Sequence, residues 1–249
     1  MTWVTESADI DFYFDPVCPF AWMTSKWVRL VMAQRNHTTN WCLISLRVLN
    51  SAVDYDSHFP PEYEAGHMAG LRLLRLVACA RSLHGPEVVG PLYAALGQRI
   101  FDSAPLPEQQ LGRGDLDQRG TAAFVAPVLT ELDLPASLLA ALDDGSFDEE
   151  IRAETERALT LAGRDVGTPI IQFRPPDGVA FFGPVISRLP SAEDAVQLWD
   201  HVVGLAGFPG FAELKRSLRE RPQLRGLGVA EDEAGLVEDW HGGSRRTKR

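Results

Sequence analysis

Cysteine is scarce in this chain: Cys18, Cys42 and Cys79 are the three in 249 residues. An odd number cannot pair completely, and no two stand at the two-to-four-residue spacing of a metal knuckle. A disulfide framework and a zinc module are therefore both excluded, and no metal is expected. Basic charge is also short. Lys and Arg number 24 against 34 Asp and Glu, a net charge of −10, which argues against nucleic acid or an anionic membrane surface as partner. No apolar run approaches the length of a membrane span. The opening MTWVTESADIDF has neither the basic nor the apolar region of an export leader, so a cytoplasmic location, where thiols stay reduced, is expected. Neither G-x-G-x-x-G nor a P-loop occurs, so a nucleotide cofactor has no support and no tightly bound cofactor is expected.

What the chain does have is a short alternating strand, IDFYFD at 10–15, that stops at Asp15-Pro16. From Pro19 to about Arg35 the apolar residues Phe20, Met23, Trp27, Leu30 and Val31 recur at helical spacing. WCLISLRVL at 41–49 reads as the next strand, and a helix between two such strands predicts a parallel βαβ unit. The middle changes character: helices are predicted at 60–85, 86–101, 119–132, 136–142 and 147–162, with a loop over 103–115. Strand pattern returns in TPIIQF (168–173) and VAFFGP (179–184), joined by the turn PPDG. Ser191 is a good N-cap for a helix to about Leu205, and FPGFAELKRSLRE is expected to begin another. The fold class is α/β. Residues 8–52 and 164–220 form one mixed-sheet domain, 58–163 a large all-helical insertion, and 221–249 a polar, disordered tail.

Two elements then carry a resemblance. Cys18 follows the first strand of the βαβ unit, and Thr168-Pro169 precedes the first strand of the closing hairpin. The chain resembles the thioredoxin-like fold in its DsbA-like branch, which carries such a helical insertion and includes kappa-class glutathione transferases and hydroxychromene-carboxylate isomerases. FYFDPVCPFAWMTSKW, GPLYAALGQRIF, DVGTPIIQF, VAFFGPVISRLP and FPGFAELKR are similar to segments of the cytoplasmic, mycothiol-dependent DsbA-like oxidoreductases and nitroreductases. The resemblance implies a cis bond before Pro169, a loop there that faces the cysteine, and mycothiol as thiol co-substrate. The departure is in the motif: relatives carry Cys-Pro-aromatic-Cys, and this chain carries Cys18-Pro19-Phe20-Ala21. Alanine cannot resolve a mixed disulfide.

Cys18 is the expected nucleophile, at the start of a helix whose N–H groups and dipole lower a thiol pKa, with Pro19 tolerated at the first helical position. Asp15, Phe20, Trp22, Thr168 and Pro169 complete the expected motif and substrate-binding set, with Tyr13 a further candidate for the pocket wall. Cys42 and Cys79 read as small core residues. His58, His67 and His84 read as surface or packing histidines, and Arg72 and Arg75 as a solvated helix face unless they meet an anionic substrate. One thiolate without a resolver fits two reactions. The reading placed first is reversible addition to a conjugated, small-molecule or carrier-bound electrophile, giving cis–trans isomerisation of an unsaturated carbonyl or acyl thioester. The alternative is monothiol exchange with mycothiol, or nitroreduction. A homodimer is left open.

Overall fold

The computed structural model describes residues 8–60, 62–103, 117–216 and 218–239. Its central strand is β1 (Ile10–Phe14), buried along its whole length. It pairs in parallel with β2 (Thr39–Leu43), Tyr13 opposite Cys42, and antiparallel with β3 (Ile170–Phe173), Tyr13 opposite Ile170. β4 (Ala180–Phe182) adds antiparallel to β3, so the sheet runs β2-β1-β3-β4. A strand with neighbours on both edges and helices on both faces must be apolar on alternate and intervening positions alike, which explains IDFYF. Phe12 and Phe14 join the large core with helix α1 (Pro19–Arg35), while Tyr13 points to the opposite face, with Ile44, Ala158 and Ile170. Tyr13 therefore lies across the sheet from Cys18 and does not line its surroundings.

Helix α8 (Ala192–Ala206) begins at Ser191, whose hydroxyl accepts from Asp194 N as the sequence predicts. It is held to α1 by the Trp27 indole, which donates to Ala195 O at 2.8 Å and packs on Trp199.

Between β2 and β3 the described elements are all helical. After α2 (Leu46–Leu49) and α3 (Tyr55–His58) come α4 (Glu62–His84), α5 (Val89–Gly97), α6 (Ala122–Glu131) and α7 (Asp148–Ala162). A π-helical turn, Gln98–Asp102, extends α5, and a 3-10 stretch, Ala136–Asp143, precedes α7. The arginines of α4 are tied within this block: Arg72 to Asp143, Arg75 to Asp148 by two short bonds, and Arg81 to Glu150 and Glu154. Those pairs occupy the cations that were candidates for an anionic substrate.

Three expectations are corrected. The strand expected over 41–49 ends at Leu43, because Ser45 caps a helical turn and its hydroxyl accepts from Val48 N. The helix expected from FPGFAELKRSLRE does not form among the described residues: 211–216 are irregular and mostly exposed, and β5 (Leu218–Glu220) follows. The segment expected to be disordered folds back from 221 to 239. Its strand β6 (Val237–Asp239) pairs antiparallel with β5, Leu224 and Val229 are buried, and Glu238 takes the Arg221 guanidinium at 2.9 Å. Apolar residues too sparse to build a core of their own are enough to dock a hairpin on one that exists. The tail beyond 239 and most of the 103–115 loop lie outside the described residues.

Candidate active site

Cys18 is the N-cap residue of α1, with Pro19 at the first helical position. Asp15 builds the turn that places it. Its Oδ1 accepts from Val17 N at 3.0 Å, its Oδ2 from Leu46 N at 2.8 Å, and its main-chain carbonyl from Cys18 N at 3.0 Å. An aspartate that satisfies its own turn and an adjacent loop is the side chain this geometry needs. Ala21 N then donates to Sγ at 3.4 Å, and the thiol donates to Thr168 O, also at 3.4 Å.

The bond between Thr168 and Pro169 is cis, as the resemblance implies. The loop is pinned to β1 by the Thr168 hydroxyl, which donates to Tyr13 O at 3.2 Å. Thr168 thus presents its carbonyl to the sulfur and spends its hydroxyl on the fold. Pro169 is buried beside it, and Ala21 is fully buried one turn into α1. Phe20 and Trp22 are buried too. Trp22 runs away from the sulfur: its indole donates to Asp102 at 3.2 Å, and its ring meets Tyr93 edge-on. The predicted site residues are therefore adjacent: Ala21 N and Thr168 O are hydrogen-bonded to Sγ, and Asp15 and Trp22 support the turn and its packing.

The expected acidity of Cys18 is overturned. The N–H groups of Ala21 and Phe20 do favour the thiolate, but burial outweighs them and the nearby Asp15 carboxylate adds to it, so the thiol is pushed up to about 12. The side chain is 7% exposed, which closes the resting sulfur to a bulky partner. Cys42 and Cys79 are free, half-buried, and likewise raised by burial.

Burial also pushes Asp15 up to about 6, against the pull of the Val17 and Leu46 N–H groups and of Arg119. The folded protein thus holds this proton to about pH 6, whereas an unfolded carboxyl releases it near 3.9. The resulting stabilisation is complete below about pH 4 and is lost as pH rises through about 6. In urea titrations the unfolding free energy of wild type minus that of Asp15→Asn should fall by about 2 kcal/mol between pH 4 and pH 7.5. A flat difference would show that the carboxyl is not held protonated.

Three contributors escaped the sequence reading. Tyr93, in GPLYAALG, is fully buried and stacks on Phe14 at 3.8 Å, forming the wall behind the turn. Gly70 and Gly97 let α4 and α5 approach: a Cβ at Gly70 would lie 2.5 Å from Asp15 Oδ1, and one at Gly97 would clash with the six-membered ring of the Trp22 indole. Small residues within long apolar helices were the available signal. Of the histidines, His67 is buried and bonded to the Tyr55 hydroxyl at 2.9 Å, a packing role, while His84 is exposed. Among the described residues no three His, Cys, Asp or Glu side chains gather as metal ligands, and no helix is long and apolar enough to cross a membrane.

Comparison with known proteins agrees with this geometry. A candidate protein disulfide isomerase from Nitrosomonas europaea superposes on 81% of this chain and all of its own, with a TM-score of 0.50 at 14% identity, which supports the DsbA-like thioredoxin fold. The uncharacterized protein Rv2286c of Mycobacterium tuberculosis is 33% identical over 208 residues, 83% of this chain and 81% of that protein. Residues 17–216 match the family described as Rv2466c-like, mycothiol-dependent nitroreductase Rv2466c. The chain belongs to that Rv2466c-like family of DsbA-like enzymes.

Proposed function

We propose that this protein is a cytoplasmic, mycothiol-dependent oxidoreductase that works through one sulfur. The observation that carries the reading is the placement of Cys18, capping α1 and facing the Thr168 carbonyl of the cis-proline loop, with Ala21 where a resolving cysteine would stand. The Cys18 thiolate attacks the mycothiol sulfur of a mixed disulfide, forming Cys18–S–S–mycothiol, and the displaced thiolate takes up a proton. A second mycothiol, as thiolate, attacks the sulfur already carried by Cys18. Mycothiol disulfide leaves, and Cys18 regains its proton. In sum the mixed disulfide and one free mycothiol become the substrate thiol and mycothiol disulfide, with no second enzyme thiol required. The substrate class is a mycothiol mixed disulfide of a small molecule or carrier, and reduction of a nitro compound at the expense of mycothiol is the family's other option for this site.

Family membership favours this reading over alkene isomerisation, which finds no support in the family or in the fold. Incubating the reduced protein with a mycothiol mixed disulfide and free mycothiol should give sustained release of mycothiol disulfide and a mycothiol adduct at Cys18 by peptide mass. A conjugated polyenoyl thioester that changes geometry with no thiol consumed, in the absence of any adduct, would instead restore the isomerase.

Ala21 offers a second test. Its N–H already reaches Sγ, so a sulfur on its Cβ lies within bonding range, shielded as Ala21 is. Oxidised Ala21→Cys should lose two hydrogens by intact mass and no longer accumulate the mycothiol adduct. Retention of the adduct would mean that the helix start cannot close a dithiol ring.

A further inference from the structure

The turn after β4 joins the Thr168-Pro169 loop to α1. Gly183 N donates to Pro169 O at 2.8 Å, so this turn is hydrogen-bonded to the residue after Thr168. Gly183 has φ 96°, and a Cβ there would lie 2.9 Å from Val185 N, so the close turn needs glycine. The next residue, Pro184, offers its carbonyl to α1, where Thr24 Oγ1 donates to it at 2.8 Å. A threonine within a helix can return its hydroxyl to the preceding turn. Its neighbour Ser25 does so, donating to Trp22 O at 2.8 Å, whereas the fully buried Thr24 reaches out of the helix. Three hydrogen bonds thus close a ring on α1: Thr24 to Pro184, Gly183 to Pro169, and Cys18 Sγ to Thr168. On its sheet side the same loop is tied by the Thr168 hydroxyl to Tyr13 O. Thr24 secures the helix side.

From this ring we infer that Thr24 is a positioning residue that holds the Thr168 carbonyl on the Cys18 thiol and so keeps the resting sulfur covered. The inference rests on Cys18 being the reacting sulfur of the exchange proposed above. Removal of the Thr24 hydroxyl leaves the Pro184 carbonyl without its donor from α1. The 183–184 turn can then move off the helix, and Gly183 carries Pro169 and the Thr168 carbonyl with it. Two effects act on the sulfur in the same direction. Its cover opens to water, and the protonated thiol loses an acceptor that favours it over the thiolate. Both quicken attack on a small electrophile.

The test is alkylation by neutral iodoacetamide in the native full chain, with the Cys18 and Cys42 peptides followed together by mass spectrometry. Cys42 packs on the other face of the sheet, with Tyr13, and reports opening of the whole fold. Thr24→Val should quicken labelling of Cys18 about three- to tenfold, the range that one hydrogen bond of ordinary strength covers, and leave Cys42 unchanged. Thr24→Ser, which keeps the hydroxyl, should return Cys18 to the wild-type rate. An unchanged or slower Cys18 in Thr24→Val overturns the inference. So does equal quickening of Cys18 and Cys42, because the hydroxyl would then serve only the stability of the fold. The wild type gives a second reading that needs no variant: the Gly183 amide, donor of the middle bond, should exchange slowly with solvent. Exchange at the rate of an open amide also overturns the ring. Release of mycothiol disulfide by the wild type is measured separately, so failure of the reaction assigned to Cys18 is distinguishable from failure of the role assigned to Thr24.

Discussion

Replacing Cys18 by serine should bring mycothiol-dependent turnover down to the rate without enzyme, while the native fold is kept. Serine fits the same N-cap, where its oxygen accepts from Ala21 N as well as sulfur does, so far-ultraviolet circular dichroism and the unfolding midpoint should change little. The same site makes a second, less obvious demand on the wild type. With its thiol pushed up to about 12, Cys18 is ionised to only on the order of one part in ten thousand at pH 8. An unfolded cysteine at that pH is ionised to roughly a quarter. Iodoacetamide should therefore label Cys18 about a thousandfold more slowly in the native protein than in urea. Comparable rates would mean that the sulfur is exposed and acidic in the resting state. The slow rate, if found, makes Cys18 a latent nucleophile: it has the placement for exchange, and a partner must displace its cover before it reacts.

That latency was not legible in the sequence. A cysteine before a proline at the end of a buried strand identifies the turn and the helix start, because both depend on neighbours within a few residues. Thr168-Pro169 could be placed opposite only through the family resemblance, since X-Pro by itself says nothing of cis. Whether the sulfur is acidic depends on what covers it, and its cover is non-local. Around the turn, Gly70 comes from α4, Tyr93 from α5, and the Thr168 carbonyl on the sulfur from a loop 150 residues on in the chain. The helix-start argument was correct in sign, as the Phe20 and Ala21 N–H groups show, but it compared dipoles with water rather than with burial. The C-terminal segment misled for a related reason. Its polar composition fits a solvated tail, and it carries little apolar surface. Leu224 and Leu227 join a core already built, beside the π-helical turn that extends α5, Val229 is buried, and Arg221 and Glu238 meet only once the hairpin closes.

A single methyl group added at Gly97 should cost stability at the wall of the site. A Cβ there would clash with the Trp22 indole, which cannot step aside freely: Asp102 holds its N–H and Tyr93 meets its ring edge-on. Gly97→Ala gains about 1 kcal/mol of helix propensity. Against that stand about 1–3 kcal/mol of overpacking and about 1 kcal/mol for the strained indole hydrogen bond. A net loss of about 2 kcal/mol corresponds to a fall in Tm of about 4–8 °C for a chain of this size. A change within 1 °C would show that α5 can retreat from α1 without cost. Trp22 is four residues from Cys18 on the first turn of α1, so the displacement should reach the sulfur as well. If α5 is part of what keeps the thiol dry, Gly97→Ala should quicken native alkylation of Cys18 even as it destabilises the fold. Should the Tm fall while the alkylation rate holds, the packing of α5 and the protection of Cys18 are separate properties.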